Sequence, residues 1–172
     1  MSYDFLNTEK SPKILVQAVK LMGTKEVVGK VHNPVIMGWA KLLELQKVYT
    51  SDEIPWCGLF IAHCADVAGL EVIDKPLWAL SWAKWGTKVT EPMLGDILTF
   101  KRDGGGHVGI YVGEDEACYH VLGGNQGNAV SVTRIVKSRL YQARRTTWKV
   151  AQPANVRKVY LDAKGIVSKN EA

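Results

Sequence analysis

The chain has 172 residues, of which 47% are hydrophobic and 23% are charged. This composition is ordinary for one globular domain with a sizeable core, and it argues against a disordered chain or a second full domain. The formal net charge of +5 favours an anionic partner, which could be nucleic acid, a membrane surface or a cell-wall polymer. No run of about 18 apolar residues is present, so the sequence predicts no membrane-spanning helix.

The cysteines and the first residues of the chain limit its cellular context. The three cysteines, Cys57, Cys64 and Cys118, are few and odd in number, which argues against a disulfide scaffold. In one helix, Cys57 and Cys64 would lie two turns apart, roughly 10 Å, and could not bridge each other. Residues 1–10 lack the basic and then apolar order of a signal peptide, so we expect synthesis in the cytosol without export by that route.

Three amphipathic segments predict helices in the N-terminal part of the chain. The first follows Ser11-Pro12 and ends at Gly23, and the second follows the cap signal Asn33-Pro34. The third begins near Pro55 and ends at Gly69. Their apolar stripes are Ile14, Leu15, Ala18, Val19 and Met22; Val35, Ile36, Trp39, Leu42 and Leu43; and Phe60, Ile61, Cys64, Ala65 and Ala68.

The start of the third helix carries a cysteine. Pro55 suits the first helical position, and Asp52 or Glu53 is favourable beside the positive end of the helix dipole. Cys57 then falls in the first turn, where unpaired backbone N–H groups favour the thiolate, the nucleophilic form of cysteine. Cys57 is therefore a candidate nucleophile, although a free cysteine is as often a small buried hydrophobic residue.

The second half of the chain predicts a sheet. A short helix is predicted over Leu77–Trp85, and its tryptophans either line a cleft or pack in the core. From Pro92 onwards, short alternating segments separated by glycine are typical of an antiparallel sheet. Helices followed by a meander indicate an α+β fold. The predicted strands are Gly95–Lys101, His107–Val112, Ala117–Leu122, Ala129–Val136 and Leu140–Trp148, with a turn at Arg102–Gly106.

Two polar features follow the cysteine along the chain. Strand alternation places His107 and Tyr111 on one face of their strand, and an imidazole between glycines has room for a ligand, although a histidine capping a turn is an equal alternative. One strand later, the bend at residues 123–128 combines glycines with polar amides, which is also what a simple hairpin turn requires. A cysteine, a histidine and an amide in this order form a nucleophile, a base and an orienting group.

The same residues carry a family resemblance over roughly residues 11–148. The sequence resembles the NlpC-like and CHAP cysteine peptidoglycan hydrolases, in particular their short phage- and prophage-associated, endolysin-like members. This resemblance implies a papain-like α+β fold, with a catalytic domain over residues 1–150. The chain becomes polar and basic after that point, which indicates an extension over residues 151–172 that either docks or is loosely ordered. The matching motifs are Pro55-Trp56-Cys57-Gly58-Leu59-Phe60, Gly95-Asp96-Ile97, Gly106-His107-Val108-Gly109-Ile110-Tyr111-Val112-Gly113 and Leu122-Gly123-Gly124-Asn125-Gln126-Gly127-Asn128.

The resemblance assigns roles to single residues. Cys57 would be the nucleophile, His107 its base and Asn125 the group that orients His107, with Gln126 as the alternative because a one-residue shift exchanges the two amides. The backbone N–H of Cys57 would serve the oxyanion hole. Asp52 could support that hole but is better suited to capping the helix. We expect the substrate cleft to include Trp56, Trp82 and Tyr111.

The implied activity is cleavage of an amide bond in the peptide part of peptidoglycan. The alternatives are an N-acetylmuramoyl-L-alanine amidase or toxin amidase of the same fold, and an inactive wall-binding module. We expect a monomer that acts on the cell wall, needs no cofactor or metal, binds no nucleic acid and does not insert stably into membranes. A zinc site lacks the usual ligand spacing; its candidate ligands would be Cys57, His63, Cys64, Cys118 and His120.

Overall fold

A computed structural model describes residues 3–171. Its helices are α1 (Phe5–Thr8), α2 (Lys13–Lys20), α3 (Pro34–Leu42) and α4 (Cys57–Val67), followed by a short 3-10 helix, Ala79–Lys84. The three helices predicted from apolar spacing correspond to α2, α3 and α4. None of the helices between residues 3 and 171 has the length and hydropathy that a membrane span needs.

A six-stranded antiparallel sheet follows the helices. Its strands are β1 (Thr87–Val89), β2 (Ile97–Arg102), β3 (Gly105–Glu114), β4 (Cys118–Gly123), β5 (Ser131–Val136) and β6 (Leu140–Arg145). The spatial order is β1-β6-β2-β3-β4-β5, with a second 3-10 helix, Lys137–Arg139, between β5 and β6. The α+β prediction is confirmed, and all five predicted strands are present. The sequence analysis missed β1, a strand of three residues paired with β6.

The two faces of the sheet pack differently. Val108, Ile110 and Val112 of β3 join the large core that contains α2, α3 and α4. Tyr111 belongs to a smaller cluster on the opposite face, together with Phe100 of β2. His107 stacks on Phe100, with the ring centroids 6.5 Å apart. The predicted alternation of β3 is therefore confirmed, and His107 shares its face of the strand with Tyr111.

The helix starts differ in detail from the predictions. Asn33 caps α3 as predicted, because its side chain accepts a hydrogen bond from the Val35 N–H. Helix α4, however, begins at Cys57 and not at Pro55, and no side chain caps it. Asp52 does not cap α4. Its carboxylate accepts hydrogen bonds from the backbone N–H groups of Val27 and Asn33, at 3.0 and 2.8 Å, and so closes the loop before α3.

The basic segment after residue 150 packs onto the sheet. Val156 and Val159 are buried, and Tyr160 forms a β-bridge with Glu114 at the end of β3. The chain then continues along the outer edge of β5, where Val167 bridges to Arg134. Of the two alternatives that the sequence left open for this segment, docking is the one observed.

Candidate active site

Cys57 lies where α4 meets β3. Its side chain is only 4% exposed, and the backbone N–H groups of Val108 and Gly58 lie close to its sulfur. Val108 directly follows His107 in β3. The packing of α4 on β3 therefore brings the thiol beside the stretch of strand that carries the imidazole.

His107 is held by Gln126. The ring is buried, and its Nε2 lies 3.0 Å from the side-chain Oε1 of Gln126. The Gln126 Nε2 donates hydrogen bonds to the backbone carbonyls of Val121 and Ser131. Because carbonyls only accept, these two bonds fix which end of the amide faces the ring.

The orientation of this amide determines the tautomer of the imidazole. Gln126 presents its oxygen to His107, so the Nε2 of the neutral ring must carry the hydrogen and donate. Nδ1 is then the unprotonated ring nitrogen, the one that can accept a proton. Gln126 thus fixes the orientation and the tautomer of the His107 ring.

The expectation that Asn125 contacts the imidazole is wrong, and the alternative, Gln126, makes the contact. The reason is local backbone geometry, because β4 ends at Gly123 and Asn125 adopts a left-handed conformation with φ of 57°. Strand alternation therefore does not extend to residue 125, and the reversed chain direction turns the next side chain towards β3.

Two glycines let this bend come close to its neighbours. A Cβ atom on Gly123 would lie 2.8 Å from the Gln126 Oε1 and 3.2 Å from the His107 Nε2. A Cβ atom on Gly124 would lie 2.6 Å from the Phe60 Cβ of α4. The absence of side chains at these two positions leaves space for the amide–imidazole hydrogen bond and for the bend to lie against α4.

The three aromatic residues expected to line the cleft are buried instead. Trp56 and Trp82 are 0% exposed, and their indole N–H groups donate to Glu26 and to the Pro76 carbonyl. Tyr111 is also fully buried and donates to Glu114. All three belong to the core, so the prediction of cleft lining is wrong. Large aromatic side chains contribute most when they are fully packed and their polar atom has a partner.

The described hydrogen bonds of Asp52 go to residues of the loop before α3, and none of them goes to the Cys57 thiol. In addition to the two backbone N–H groups, its carboxylate lies 2.9 Å from the His32 Nδ1. Burial raises its pKa, but the three hydrogen bonds together lower the pKa below the usual value. An ionised, fully engaged carboxylate is a poor oxyanion donor. Neither role expected for Asp52, oxyanion support or capping of α4, is therefore observed, and its hydrogen bonds close the loop before α3 instead.

Burial controls the protonation of both candidate reactive groups. It raises the pKa of the Cys57 thiol, against the opposing effect of the nearby N–H groups and of Arg102. Burial also lowers the pKa of His107 to about 4, while Glu171 and Gln126 act in the opposite direction. Both shifts favour the uncharged forms, so the resting pair is a neutral thiol and a neutral imidazole.

Two arginines and a glutamate near His107 were not identified from the sequence. Arg139 binds Glu171 through two parallel hydrogen bonds of 2.7 and 2.8 Å, and Arg102 donates to Asn170 at 2.6 Å. Glu171, Arg102 and Arg139 all act on the pKa of His107. The basic composition of the last segment was visible in the sequence, but no pattern there placed Glu171 beside a histidine 64 positions earlier.

Comparison of the chain with models of known protein families and with curated protein sequences finds no match. Between residues 3 and 171, no group of three or more histidine, cysteine or acidic side chains is arranged to hold a metal ion. The candidate site consists of a cysteine at the start of a helix, a histidine in a fixed tautomer and a glutamine that orients the histidine.

Proposed function

We propose that the protein is a cysteine hydrolase of papain-like fold that cleaves an amide bond in the peptide part of peptidoglycan. The observation that carries the proposal is the hydrogen bond between the His107 Nε2 and the Gln126 Oε1, with Cys57 at the start of the adjoining helix. This arrangement supplies a nucleophile, a base and a group that orients the base.

The proposed reaction passes two protons, one after the other, through the same ring nitrogen of His107. The Nδ1 of His107 takes the thiol proton as the Cys57 sulfur attacks the carbonyl carbon of the amide. The tetrahedral intermediate collapses to a thioester, and the imidazolium returns the proton to the departing amine. Water, deprotonated by the same nitrogen, then hydrolyses the thioester and regenerates the thiol. The backbone N–H of Cys57, at the start of α4, would stabilise the oxyanion.

The choice of peptidoglycan rests on the resemblance described above and on the formal net charge of +5, which suits an anionic cell wall. The geometry itself supports amide hydrolysis more generally. Cleavage within the stem peptide and cleavage of the bond between the sugar and the peptide would use the same three side chains, so the products must distinguish them.

The test is digestion of purified peptidoglycan, followed by mass spectrometry of the released fragments. We expect new peptide amino and carboxyl termini with the wild-type protein and none with Cys57→Ala. Free sugar lactyl carboxylates with intact peptides would show an amidase instead. If the wild-type protein releases no fragments, or the Cys57→Ala variant releases the same fragments, the proposal is wrong.

A further inference from the structure

Residues 166–171 lie beside the bend that carries Gln126. The Ser168 N–H donates to the Arg134 carbonyl at the edge of β5, and the Gly127 N–H donates to the Glu171 carbonyl at 3.3 Å. The second of these contacts adjoins Gln126, the residue that orients His107. An open groove of about 480 Å³ lies between residues 166–171 and Gln126. The segment therefore runs along the bend at Gln126 and Gly127, one residue contact away from the imidazole that Gln126 holds.

The most tightly held group of this segment is the side chain of Glu171. Its carboxylate is 1% exposed, although acidic side chains are almost never fully buried without a partner. The two Nη groups of Arg139 bind its two oxygens, the fork geometry in which a guanidinium recognises a carboxylate. Burial raises the pKa of Glu171, but Arg139 and His107 outweigh it, so the pKa lies below the usual value and the group is an anion.

Arg139 is positioned by the sheet as well as by the segment. Its Nε donates to the Lys101 carbonyl of β2 at 3.4 Å, and its own backbone belongs to the 3-10 helix Lys137–Arg139. The guanidinium would therefore stay near His107 if residues 168–171 moved away. The Arg139 side chain is only 19% exposed with the segment in place, and a largely buried cation is costly without an anion.

We propose that Arg139, assisted by Arg102, forms a carboxylate-binding subsite beside His107, and that Glu171 fills this subsite until an acidic peptide replaces it. The inference rests on the proposed function, because it names the chemistry by which a peptide substrate is recognised. Residues 168–171 then act as a built-in competitor. Displacing them would open the groove beside Gln126, the residue that holds the imidazole.

The experiment compares two alkylating reagents of similar size on the full chain. Iodoacetate carries a carboxylate and iodoacetamide does not, and peptide mapping by mass spectrometry measures the alkylation rate of Cys57 with each. The variants are Glu171→Gln, which weakens the fork with Arg139, and the double variant Glu171→Gln/Arg139→Gln. The matched control is Glu9→Gln, because Glu9 and Arg157 form the same two-bond pair, at 3.0 Å each, near the end of the sheet remote from His107.

We expect Glu171→Gln to raise the Cys57 alkylation rate with iodoacetate about tenfold more than the rate with iodoacetamide, since charged hydrogen bonds are the stronger ones. The double variant should lose this difference, and Glu9→Gln should behave as the wild type. Equal acceleration with both reagents, no acceleration, or a preference for iodoacetate that persists in the double variant would overturn the subsite.

Two further readouts separate possible failures. If thermal unfolding shows that a variant does not fold, the wild-type protein is alkylated with iodoacetamide in the presence of an acidic dipeptide or of its amide. Only the acidic form should raise the rate at Cys57, because it displaces Glu171 from Arg139; equal rates with both would overturn the subsite. If the charge preference appears but peptidoglycan is not cleaved, the subsite stands and the proposed function fails. If peptidoglycan is cleaved and no charge preference appears, only the subsite fails.

Discussion

The protein contains two groupings of a cysteine, a histidine and a polar partner, and they differ in what remains available for chemistry. In the second grouping, Cys118 and His120 belong to β4, and the His120 Nε2 lies 2.8 Å from the Asp115 Oδ2. The negatively charged carboxylate of Asp115 would stabilise a protonated imidazole more than the neutral amide of Gln126 would. By residue type alone, this second grouping is the closer match to a catalytic triad.

The partners of the ring nitrogens distinguish the two groupings. The His120 Nδ1 lies 2.8 Å from the Tyr3 hydroxyl, so both of its ring nitrogens are engaged, and Arg134 balances the charge of Asp115. Hydrogen bonds from Arg134 and His120 overcome burial and hold the pKa of Asp115 well below its usual range. Cys118 lies on a strand, without the N–H groups of a helix start. Both ring nitrogens of His120 are engaged in hydrogen bonds, whereas the hydrogen bond described for the His107 ring uses Nε2 and leaves Nδ1 to accept a proton in the proposed reaction.

The largest expected difference concerns the two cysteines. Cys57→Ala should lower the rate of peptidoglycan cleavage at least about a thousandfold, because it removes the nucleophile. Cys118→Ala should keep the rate and lower only the thermal stability, because Cys118 is fully buried. Initial rates and melting curves of both variants test this. A Cys57→Ala protein that cleaves normally, or a Cys118→Ala protein that folds but is inactive, would show that the second grouping is the catalytic one.

The next effect concerns Asp115. Asp115→Asn should lower the free energy of unfolding by about 3 kcal/mol or more, since it leaves the charge of buried Arg134 without its partner. Denaturant unfolding measures this loss. Asp162→Asn, in the exposed pair with Lys164, is the control and should change nothing measurable. Loss of activity without loss of stability in Asp115→Asn would show that the second grouping is catalytic.

The pH dependence of stability should reveal the buried imidazole of His107. Its pKa is about 4 in the folded protein, against about 6.5 in an unfolded chain, so between these values the unfolded state binds more protons. This group's stabilisation is complete above pH about 6.5 and falls by about 3 kcal/mol as the pH falls to about 4. Unfolding of His107→Gln at pH 7 and pH 4 should show a correspondingly smaller difference than the wild type. If the difference in unfolding free energy between pH 7 and pH 4 is the same in the variant and the wild type, a group other than His107 causes the pH dependence.

The smallest effect distinguishes the two neighbouring amides. Gln126→Ala should lower kcat about ten- to hundredfold, because the imidazole loses its orientation. Asn125→Gly is the matched control, since glycine keeps the positive φ of 57° while removing the amide, and kcat should stay near the wild-type value. Steady-state kinetics of both variants measures these changes in kcat. A large loss in Asn125→Gly with normal turnover in Gln126→Ala would return the orienting role to Asn125.

The sequence predicts the elements of this site better than their contacts. Apolar spacing was enough for α2, α3, α4 and the strands, because it is a local signal, although Asn33 of α3 is the one predicted cap residue whose side chain caps its helix among the described residues. The choice between Asn125 and Gln126 depended on one left-handed residue that ends the strand pattern. The burial of Trp56 and the pairing of Glu171 with Arg139 depend on contacts across the fold, at sequence separations of 30 and 32 residues. No periodicity in the chain encodes such contacts.

The most direct test is to trap the covalent intermediate. Rapid acid quenching during peptidoglycan digestion, followed by peptide mapping under acidic conditions, locates any substrate peptide bound as a thioester. The account predicts the adduct on Cys57, its accumulation before steady state if thioester hydrolysis is the slow step, and its loss in Cys57→Ala. An adduct on Cys118, or active cleavage by the Cys57→Ala protein, would contradict it.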